Sequence, residues 1–168
     1  MKHRGAACLY ADVSGYCRLV GRDVHSTVET LTAYRELMAR LVHTHGGRVV
    51  DTAGDSFLAE FATISRAVRC AVGLQAELAR HNARRPADRR VEFRIGIDLG
   101  EVLVHEGRIY GHCVNTAARV QGLAAPGSVC IAGSAYDRLD ATLPLRFQYL
   151  GEHVVRNIDE PLRVYRVE

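Results

Sequence analysis

Two long stretches of the chain carry apolar residues at every third or fourth position, the spacing that lines one face of an α-helix. The first stretch follows Ser26-Thr27, which can cap a helix, and ends at Gly46-Gly47. The second starts at Thr63 and runs to about His81-Asn82. The apolar positions are Leu31, Tyr34, Leu37, Met38, Leu41 and Val42 in the first stretch, and Ile64, Ala67, Val68, Ala71, Leu74 and Leu78 in the second. We therefore predict two helices that pack on a sheet as scaffold.

Short apolar runs between turn residues predict the strands of that sheet. The run at 7–11 is followed by Asp12 and then by a glycine-containing turn into a helix. Residues 46–61 predict a β-hairpin that turns at Ala53-Gly54 and carries Asp55 just past its tip. Both segments therefore place an aspartate at the end of a strand.

The second half of the chain alternates strands and shorter helices. A strand at 91–97 continues through 99–104 across Gly100, and a helix of small residues runs from Gly111 to about Leu123 before Pro126-Gly127. The remaining predicted elements are a strand at 129–131, a short helix from about Ser134, and closing strands around 147–150, 154–156 and 162–167. The pattern predicts an α+β fold with a mixed, mainly antiparallel sheet and helices on one face, in a single domain over residues 1–168.

Composition is that of an ordinary globular domain, with 48% hydrophobic and 24% charged residues among 168. No apolar run is long enough to span a bilayer and no signal-peptide pattern is present, so we expect a cytoplasmic protein. The five cysteines are odd in number and scattered, which argues against a disulfide framework or a zinc site and predicts buried or incidental thiols.

The charge pattern does not indicate a nucleic-acid partner. The formal net charge is only +3, and the cluster Arg84-Arg85 and Arg89-Arg90 surrounds Pro86 without interleaved aromatic residues. We interpret this cluster as a solvated loop. His43 and His45 are two apart on a helix and point in different directions, so they do not form a metal site.

The two strand-end aspartates, Asp12 and Asp55, could lie side by side on neighbouring strands. Adjacent carboxylates repel unless a cation lies between them, and oxygen ligands suit Mg²⁺ or Mn²⁺ carried in with substrate phosphates. The arrangement is typical of two-metal phosphoryl transfer. On spacing alone, Asp12 could equally cap the following helix and Asp55 a turn.

A second polar pair lies on the helix that follows Gly111. Asn115 and Arg119 are four residues apart and project from one face, while Ala117 and Ala118 would let another surface approach closely. For an isolated pair of this kind, a solvent-facing arginine is the simpler interpretation.

Several separated motifs occur together in one order that resembles the class III adenylate and guanylate cyclase catalytic domain. The resemblance covers nearly the whole chain, and the joint occurrence is much more specific than any single motif. The matching segments are Tyr10-Ala11-Asp12-Val13-Ser14-Gly15-Tyr16, Gly46-Gly47-Arg48-Val49-Val50, Thr52-Ala53-Gly54-Asp55, Arg94-Ile95-Gly96-Ile97, Ile109-Tyr110-Gly111, Val114-Asn115 and Ala117-Ala118-Arg119.

The resemblance implies a ferredoxin-like βαββαβ core and conversion of a nucleoside triphosphate to its 3′,5′-cyclic monophosphate and pyrophosphate. It implies that Asn115 and Arg119 hold the ribose and stabilise the pentavalent phosphorus. Arg156 stands where the family usually has Lys followed by Gly to bind the triphosphate. The other implied site residues are Asp12, Val13 and Asp55 for two Mg²⁺ or Mn²⁺ ions, and Ser14, Gly15, Tyr16 and Cys17 for the triphosphate loop.

The resemblance also implies a homodimer with shared active sites. In this family each site takes its metal carboxylates from one chain and its Asn and Arg from the other, so a lone chain would be inactive. One chain with both sets should form a two-fold symmetric homodimer with two equivalent sites.

This chain departs from the family at the two positions that read the base, which are Asp51 and Arg108. Adenylate cyclases usually have Lys at the first position and Asp or Thr at the second. An acceptor followed by a donor suits the N–H and C=O edge of guanine or uracil, so we expect GTP or UTP to be preferred over ATP.

Three alternatives remain open. Asp51 and Arg108 could pair with each other and read no base, the chain could be an ordinary adenylate cyclase, or it could be a catalytically weak nucleotide-binding regulatory dimer. Some divergent relatives make cyclic pyrimidine nucleotides in bacterial defence against phage, and the resemblance is compatible with that role or with other bacterial signalling.

Overall fold

A computed structural model describes residues 1–168. The chain forms eight strands and five α-helices, with a short 3₁₀ turn at Ala87–Arg89. In chain order the elements are β1 (Lys2–Val13), α1 (Tyr16–Arg22), α2 (Val24–Thr44), β2 (Arg48–Ala53), β3 (Ser56–Phe61), α3 (Ile64–Asn82), β4 (Phe93–His105), β5 (Arg108–Tyr110), α4 (His112–Gly122), β6 (Val129–Ala132), α5 (Gly133–Tyr136), β7 (Phe147–His153) and β8 (Leu162–Val167). None of the helices combines the length and apolarity that a membrane span requires.

All strands belong to one sheet with the order β2-β3-β1-β4-β6-β8-β7, and β5 pairs with the end of β4. Only β4 and β6 run parallel; every other pair is antiparallel. The first four strands and the helices between them form the βαββαβ unit. The predicted α+β class with a mixed, mainly antiparallel sheet is confirmed.

The helices α2 and α3 pack on one face of the sheet, as their apolar periodicity predicts. Met38 and Leu74 are fully buried there against strand residues such as Leu9. The start of α3 at its Thr63 cap is confirmed. The cap predicted for α2 is wrong, because the Asp23 carboxylate accepts a hydrogen bond from the backbone N–H of Ser26 at 3.0 Å and the helix begins before that serine.

The helix α4 packs on the opposite face, which the prediction of helices on one face did not include. A smaller apolar cluster lies there, with Ala6 and Cys8 of β1 beneath Cys113 and Ala117 of α4. Gly96 permits this contact, because a Cβ at that position would collide with the backbone of Ala117 and Gln121. The sheet is therefore covered by long amphipathic helices on one face and by a small-residue helix on the other.

The cysteines are free thiols, four of them buried, and only Cys17 is exposed. The sulfurs of Cys8 and Cys113 lie 3.5 Å apart in the cluster below α4. This agrees with the expectation of unpaired, mainly buried thiols.

Two strand assignments differ from the structure. The strand β5 was not predicted because it is only three residues long and polar at both ends; the turn before it has positive φ at Glu106 (50°) and Gly107 (75°). Near the C-terminus, β7 extends over Phe147–His153 and residues 154–156 lie outside any strand. A positive φ of 91° at Gly151, where the register shifts, lets β7 continue past Leu150.

The close approach at Gly96 gives a stability prediction. Gly96→Ala should destabilise the fold by about 3 kcal/mol, the upper part of the range for overpacking, because the new methyl group meets backbone rather than a movable side chain. Gly5→Ala, in the neighbouring strand with no atom within 4 Å of the added Cβ, is the matched control. Urea denaturation should separate the two variants, and equal midpoints would contradict the packing described for α4.

Candidate active site

The antiparallel register brings the two strand-end aspartates together. Asp12 is the penultimate residue of β1 and pairs with Ser56, the first residue of β3. Asp55 precedes Ser56 in the two-residue turn between β2 and β3, where Gly54 has a φ of 57°. The two carboxylates therefore lie side by side at one edge of the sheet, and neither acts as a helix cap.

The surroundings of Asp12 disfavour its negative charge. Burial is the main cause, and the neighbouring Asp55 adds to it, so that the pKa of Asp12 rises to about 7. The backbone N–H of Val13 and the charge of Arg94 act in the opposite direction but do not cancel the effect. Oδ1 of Asp12 is buried and has no hydrogen-bond partner. A buried, unpaired carboxylate oxygen beside a second carboxylate is a site that a cation would stabilise.

Arg94 is a residue near the site that the sequence did not assign. It lies opposite Asp12 in the β1–β4 register, and its Nε is buried without a partner. The residue stands in one of the recognised motifs, but only the pairing of β1 with β4 places it beside the aspartates. It contributes a positive charge at the edge where phosphates would be held.

The oxygen ligands that the two aspartates offer suit metal ions that bring phosphate oxygens as further ligands. Within the chain, no group of three or more His, Cys, Asp or Glu residues lies together. Two carboxylates alone leave most of the coordination sphere of Mg²⁺ or Mn²⁺ to other oxygens. Asp12 and Asp55 fit such ions, provided that substrate phosphates supply further ligands.

The predicted triphosphate loop follows Asp12 directly. Val13 ends β1 and is buried, and the backbone N–H of Ser14 donates to the carbonyl of Glu92 at 2.8 Å. Gly15 then takes a left-handed φ of 66°, which turns the chain into α1 at Tyr16. The loop is thus fixed at its base, while Cys17 is exposed.

Asn115 and Arg119 lie on α4 without partners in the chain. Asn115 is exposed and Arg119 half-buried, and neither side chain forms a hydrogen bond or ion pair with Asp12 or Asp55. Ala117 is fully buried against its own sheet, so its small size serves the contact with β4 rather than the approach of another surface. The polar pair remains free to contact a ligand or a second chain.

A β-bulge sets the direction of Asp51. The β2–β3 register shifts between Val49 and Asp51, so that Val50 and Asp51 both project to the face that carries α4. Oδ2 of Asp51 lies 3.4 Å from Nη1 of Arg108, and these side chains are 41% and 61% exposed. The structure therefore brings the two predicted base-reading residues together, in a contact open enough for a ligand to compete for it.

Arg156 lies in the turn between β7 and β8, exposed and without an ion-pair partner. Asn157 follows it with a left-handed φ of 66°. The resemblance places a glycine at this position, and Asn is among the few other residues that tolerate this conformation. The turn is therefore compatible with the backbone shape that the resemblance implies.

Comparisons with known proteins find a family and several relatives that are similar to all or most of the chain. The model of the adenylate and guanylate cyclase catalytic domain matches residues 1–168. A Rhizobium meliloti protein provisionally named adenylate cyclase 3 is 38% identical over 166 residues, which cover 98% of this chain and 28% of that protein. An adenylate cyclase of Streptomyces coelicolor is 32% identical over 132 residues, 78% of this chain and 33% of that protein. The chain thus spans about a third or less of these curated relatives.

Solved structures show the same fold over the whole chain. An adenylate/guanylate cyclase/hydrolase from Silicibacter pomeroyi has a TM-score of 0.88 and 34% identity, covering 99% of this chain and 98% of that one. The adenylyl cyclase CyaB from P. aeruginosa has a TM-score of 0.85 with 19% identity, covering 99% and 95%, a likeness of fold alone.

The aspartate pair gives a prediction for the metal-free protein. The folded pKa of Asp12 is about 7 against an ordinary 3.8, so the folded state keeps a proton that the unfolded chain loses. The free energy of unfolding should therefore fall as pH rises from about 4 to 7. The Asp12→Asn variant, which cannot lose a proton at this position, should not show this fall in the free energy of unfolding. Because solvent screens the partly exposed pair, we expect its melting temperature at pH 8 to exceed that of the unmodified protein by only roughly 2–4 °C.

Thermal melts in EDTA at pH 5 and pH 8 measure this difference, which should be larger at pH 8. Asp23→Asn serves as the control, because Asp23 caps α2 away from the pair and Asn is also a good cap. An Asp12→Asn protein that is less stable at pH 8 would contradict the repulsion inferred for the two carboxylates.

Proposed function

Because the chain belongs to the class III adenylate and guanylate cyclase catalytic domain family, we propose that it converts a nucleoside triphosphate to its 3′,5′-cyclic monophosphate and pyrophosphate. The observation that carries the proposal is that the carboxylates of Asp12 and Asp55 lie side by side and that one buried Asp12 oxygen has no hydrogen-bond partner. The unpaired Asn115 and Arg119 on one helix face supply the second half of the site.

Asp12 and Asp55 would hold two divalent ions together with the substrate phosphates. The chemistry that such ions supply when bound is polarisation of the reacting oxygens and neutralisation of phosphate charge. The carboxylates orient this charge at one edge of the sheet, and Arg94 limits their mutual repulsion. The Ser14–Cys17 loop turns the backbone around the same edge, and its N–H groups beyond Ser14, whose own N–H is bonded to Glu92, would bind the triphosphate.

Arg119 and Asn115 act on the other side of the substrate. When the ribose 3′-oxygen attacks the α-phosphorus, negative charge develops on the equatorial and bridging oxygens. The guanidinium of Arg119 offers a planar fork of donors for that charge, and Asn115 can orient the ribose. Arg156 supplies a further cation for the triphosphate. Since none of the three has an ion-pair partner within the chain, no intramolecular contact has to break first.

We infer that the working unit is a homodimer. Asn115 and Arg119 make no polar contact with the aspartates of their own chain, which supports a site shared between two chains. A two-fold arrangement would give two equivalent sites, each with the carboxylates of one chain and the Asn and Arg of the other.

Base selection is assigned to Asp51 and Arg108. They are adjacent, and the bulge at Val50 directs Asp51 to the same face as α4. Asp51 can accept the N–H of guanine N1 or uracil N3, while Arg108 can donate to the neighbouring carbonyl oxygen. Adenine presents the reverse pattern and would forgo both hydrogen bonds, each worth roughly 1.5–3 kcal/mol because one partner is charged.

A second candidate is an ordinary adenylate cyclase with a permissive base pocket. Its support is the 3.4 Å contact between Asp51 and Arg108, which can satisfy both groups without a base, and the adenylate cyclase names of the relatives. A catalytically weak regulatory dimer would instead bind nucleotide, with a thermal shift, and yield no product. A role in bacterial signalling or phage defence stays a prediction from the resemblance.

The shared site predicts complementation between inactive variants. Asp55→Ala and Arg119→Ala should each lower turnover by at least about 100-fold, because a missing electrostatic stabiliser costs roughly 3 kcal/mol or more. After subunit exchange, half of the dimers are mixed and each has one intact site, so the mixture should recover up to about a quarter of the original activity.

The products of each of the four triphosphates with Mn²⁺ or Mg²⁺ are separated by mass spectrometry. Mixing Asp55→Ala with a second metal-ligand variant, Asp12→Ala, is the control and should restore nothing. Absence of cyclic product from every triphosphate would overturn the cyclase proposal, and recovery no better than the control would overturn the shared site.

The base assignment predicts that GTP or UTP outcompetes ATP. In an equimolar mixture of the four triphosphates, we expect roughly a 10-fold or greater preference for a keto base, the discrimination that one or two lost hydrogen bonds to charged groups produce. The double variant Asp51→Lys with Arg108→Asp reverses donor and acceptor and should move the preference toward ATP. If the original protein prefers ATP and the swap leaves the ranking unchanged, these residues do not read the base.

A further inference from the structure

The hairpin of β4 and β5 reaches β2 through polar contacts at its tip. The strand β5 pairs only with the end of β4, and its tip is the two-residue turn of Glu106 and Gly107. Nη1 of Arg48 donates to the carbonyl oxygen of Gly107 at 3.0 Å, and Arg108 contacts Asp51 at 3.4 Å. Besides the burial of Ile109 in the cluster below α4, the Arg48–Gly107 contact therefore helps to set the position of Arg108 next to the turn.

A buried carboxylate fixes the arginine that holds this turn. Glu60 lies on β3 directly opposite Arg48 in the β2–β3 register and is 5% exposed. Its Oε1 accepts from Nε of Arg48 at 3.0 Å and from Nη2 of Arg4 at 2.5 Å. The Arg48 guanidinium thus bridges two elements, since one edge binds Glu60 and Nη1 binds the hairpin turn.

The charges favour this arrangement over a neutral one. Burial by itself would raise the pKa of Glu60, but hydrogen bonds from Arg4 and Arg48 outweigh it and lower the pKa. Glu60 is consequently ionised near neutral pH and attracts both guanidinium groups. A lysine at position 48 would keep the charge but lacks the planar fork that reaches the carboxylate and the carbonyl together.

We propose that Glu60 and Arg48 are positioning residues for base selection: Glu60 orients Arg48, and Arg48 holds the Gly107 carbonyl so that Arg108 stays opposite Asp51. The inference rests on the base-reading part of the proposed function and extends it to two residues that would not touch the base. Loosening the turn lets Arg108 leave the base edge, which weakens discrimination without removing any catalytic group.

Arg4 separates this role from simple structural support. It binds the same Glu60 oxygen but forms no hydrogen bond or ion pair with the β4–β5 turn. A variant at Arg4 therefore perturbs the buried carboxylate and leaves the bridge to Gly107 in place. If Glu60 served only to stabilise the sheet, substitutions at Arg4 and Arg48 would have similar effects.

The first experiment measures base discrimination in Glu60→Gln, Arg48→Lys and Arg4→Lys. We expect the first two to reduce the ratio of kcat/KM between the best and worst triphosphate by about 5- to 10-fold, the loss of one charged hydrogen bond. The change should arise in KM, with kcat for the best substrate within about 2-fold. Arg4→Lys should retain the original ratio, and equal loss in all three variants would overturn the proposal. Arg48 is partly exposed, so its variant is expected to fold even if Glu60→Gln is unstable.

A triple variant tests whether Glu60 acts through the proposed base-reading pair. In an Asp51→Ala, Arg108→Ala background, adding Glu60→Gln should produce no further change in the base ratio, because the groups it positions are gone. An additional, independent change would overturn the assigned route.

Hydrogen exchange of the nucleotide-free protein tests the anchoring without any turnover. Amides of residues 103–110 should exchange about 5-fold or more faster in Glu60→Gln and Arg48→Lys than in Arg4→Lys, since local opening becomes easier. Unchanged exchange would overturn the anchoring. If exchange becomes faster but neither these variants nor Asp51→Ala change the base ratio, the hairpin is anchored as described and the base-reading proposal fails.

Discussion

The proximity of two carboxylates at one edge of the sheet is the constraint on which the rest of the site depends. The pairing of β1 with β3 brings Asp12 beside the turn that carries Asp55, and burial leaves one Asp12 oxygen without a partner. Such an arrangement costs stability in the absence of a cation. Its retention in a protein with an otherwise well-packed core points to chemistry at this edge rather than to scaffold.

The two faces of the sheet differ: one carries the scaffold helices, and the other carries the candidate site residues of α4 and β2. Long helices α2 and α3 cover one face with a continuous apolar core. The other face carries the small-residue helix α4, the β4–β5 hairpin and the bulged end of β2. Gly96 allows α4 to lie directly on the strands, and this close contact orients Asn115 and Arg119 away from the sheet. One packing contact thus decides where α4 presents its polar residues.

Buried polar groups lie on this second face, near the contact between Asp51 and Arg108 and beside Asp12. Glu60 is buried on β3 and binds Arg48, which in turn binds the turn of the hairpin. Arg94 lies opposite Asp12 on the neighbouring strand. The hydrogen bonds from Arg4 and Arg48 offset the desolvation of the Glu60 charge, whereas Nε of Arg94 stays buried without a partner. Contacts of this kind are directional, so the two bonds of the Arg48 guanidinium, to Glu60 and to the Gly107 carbonyl, favour one position of the hairpin turn.

The sequence by itself determined the parts that local patterns encode. The apolar periodicity of α2 and α3, the strand-end positions of Asp12 and Asp55, and the spacing of Asn115 and Arg119 were all readable from short segments, since each depends on residues close together in the chain. The ordered set of motifs then indicated the family, which the comparison over residues 1–168 confirmed. Only the tertiary structure decided that α4 lies on the opposite face and that a bulge turns Asp51 toward that face. The same holds for the placement of Arg94 beside Asp12 and of Glu60 beside Arg48. Strand register and bulges follow from long-range pairing, and a shift of one residue moves a side chain to the other face, so no local pattern could have supplied them.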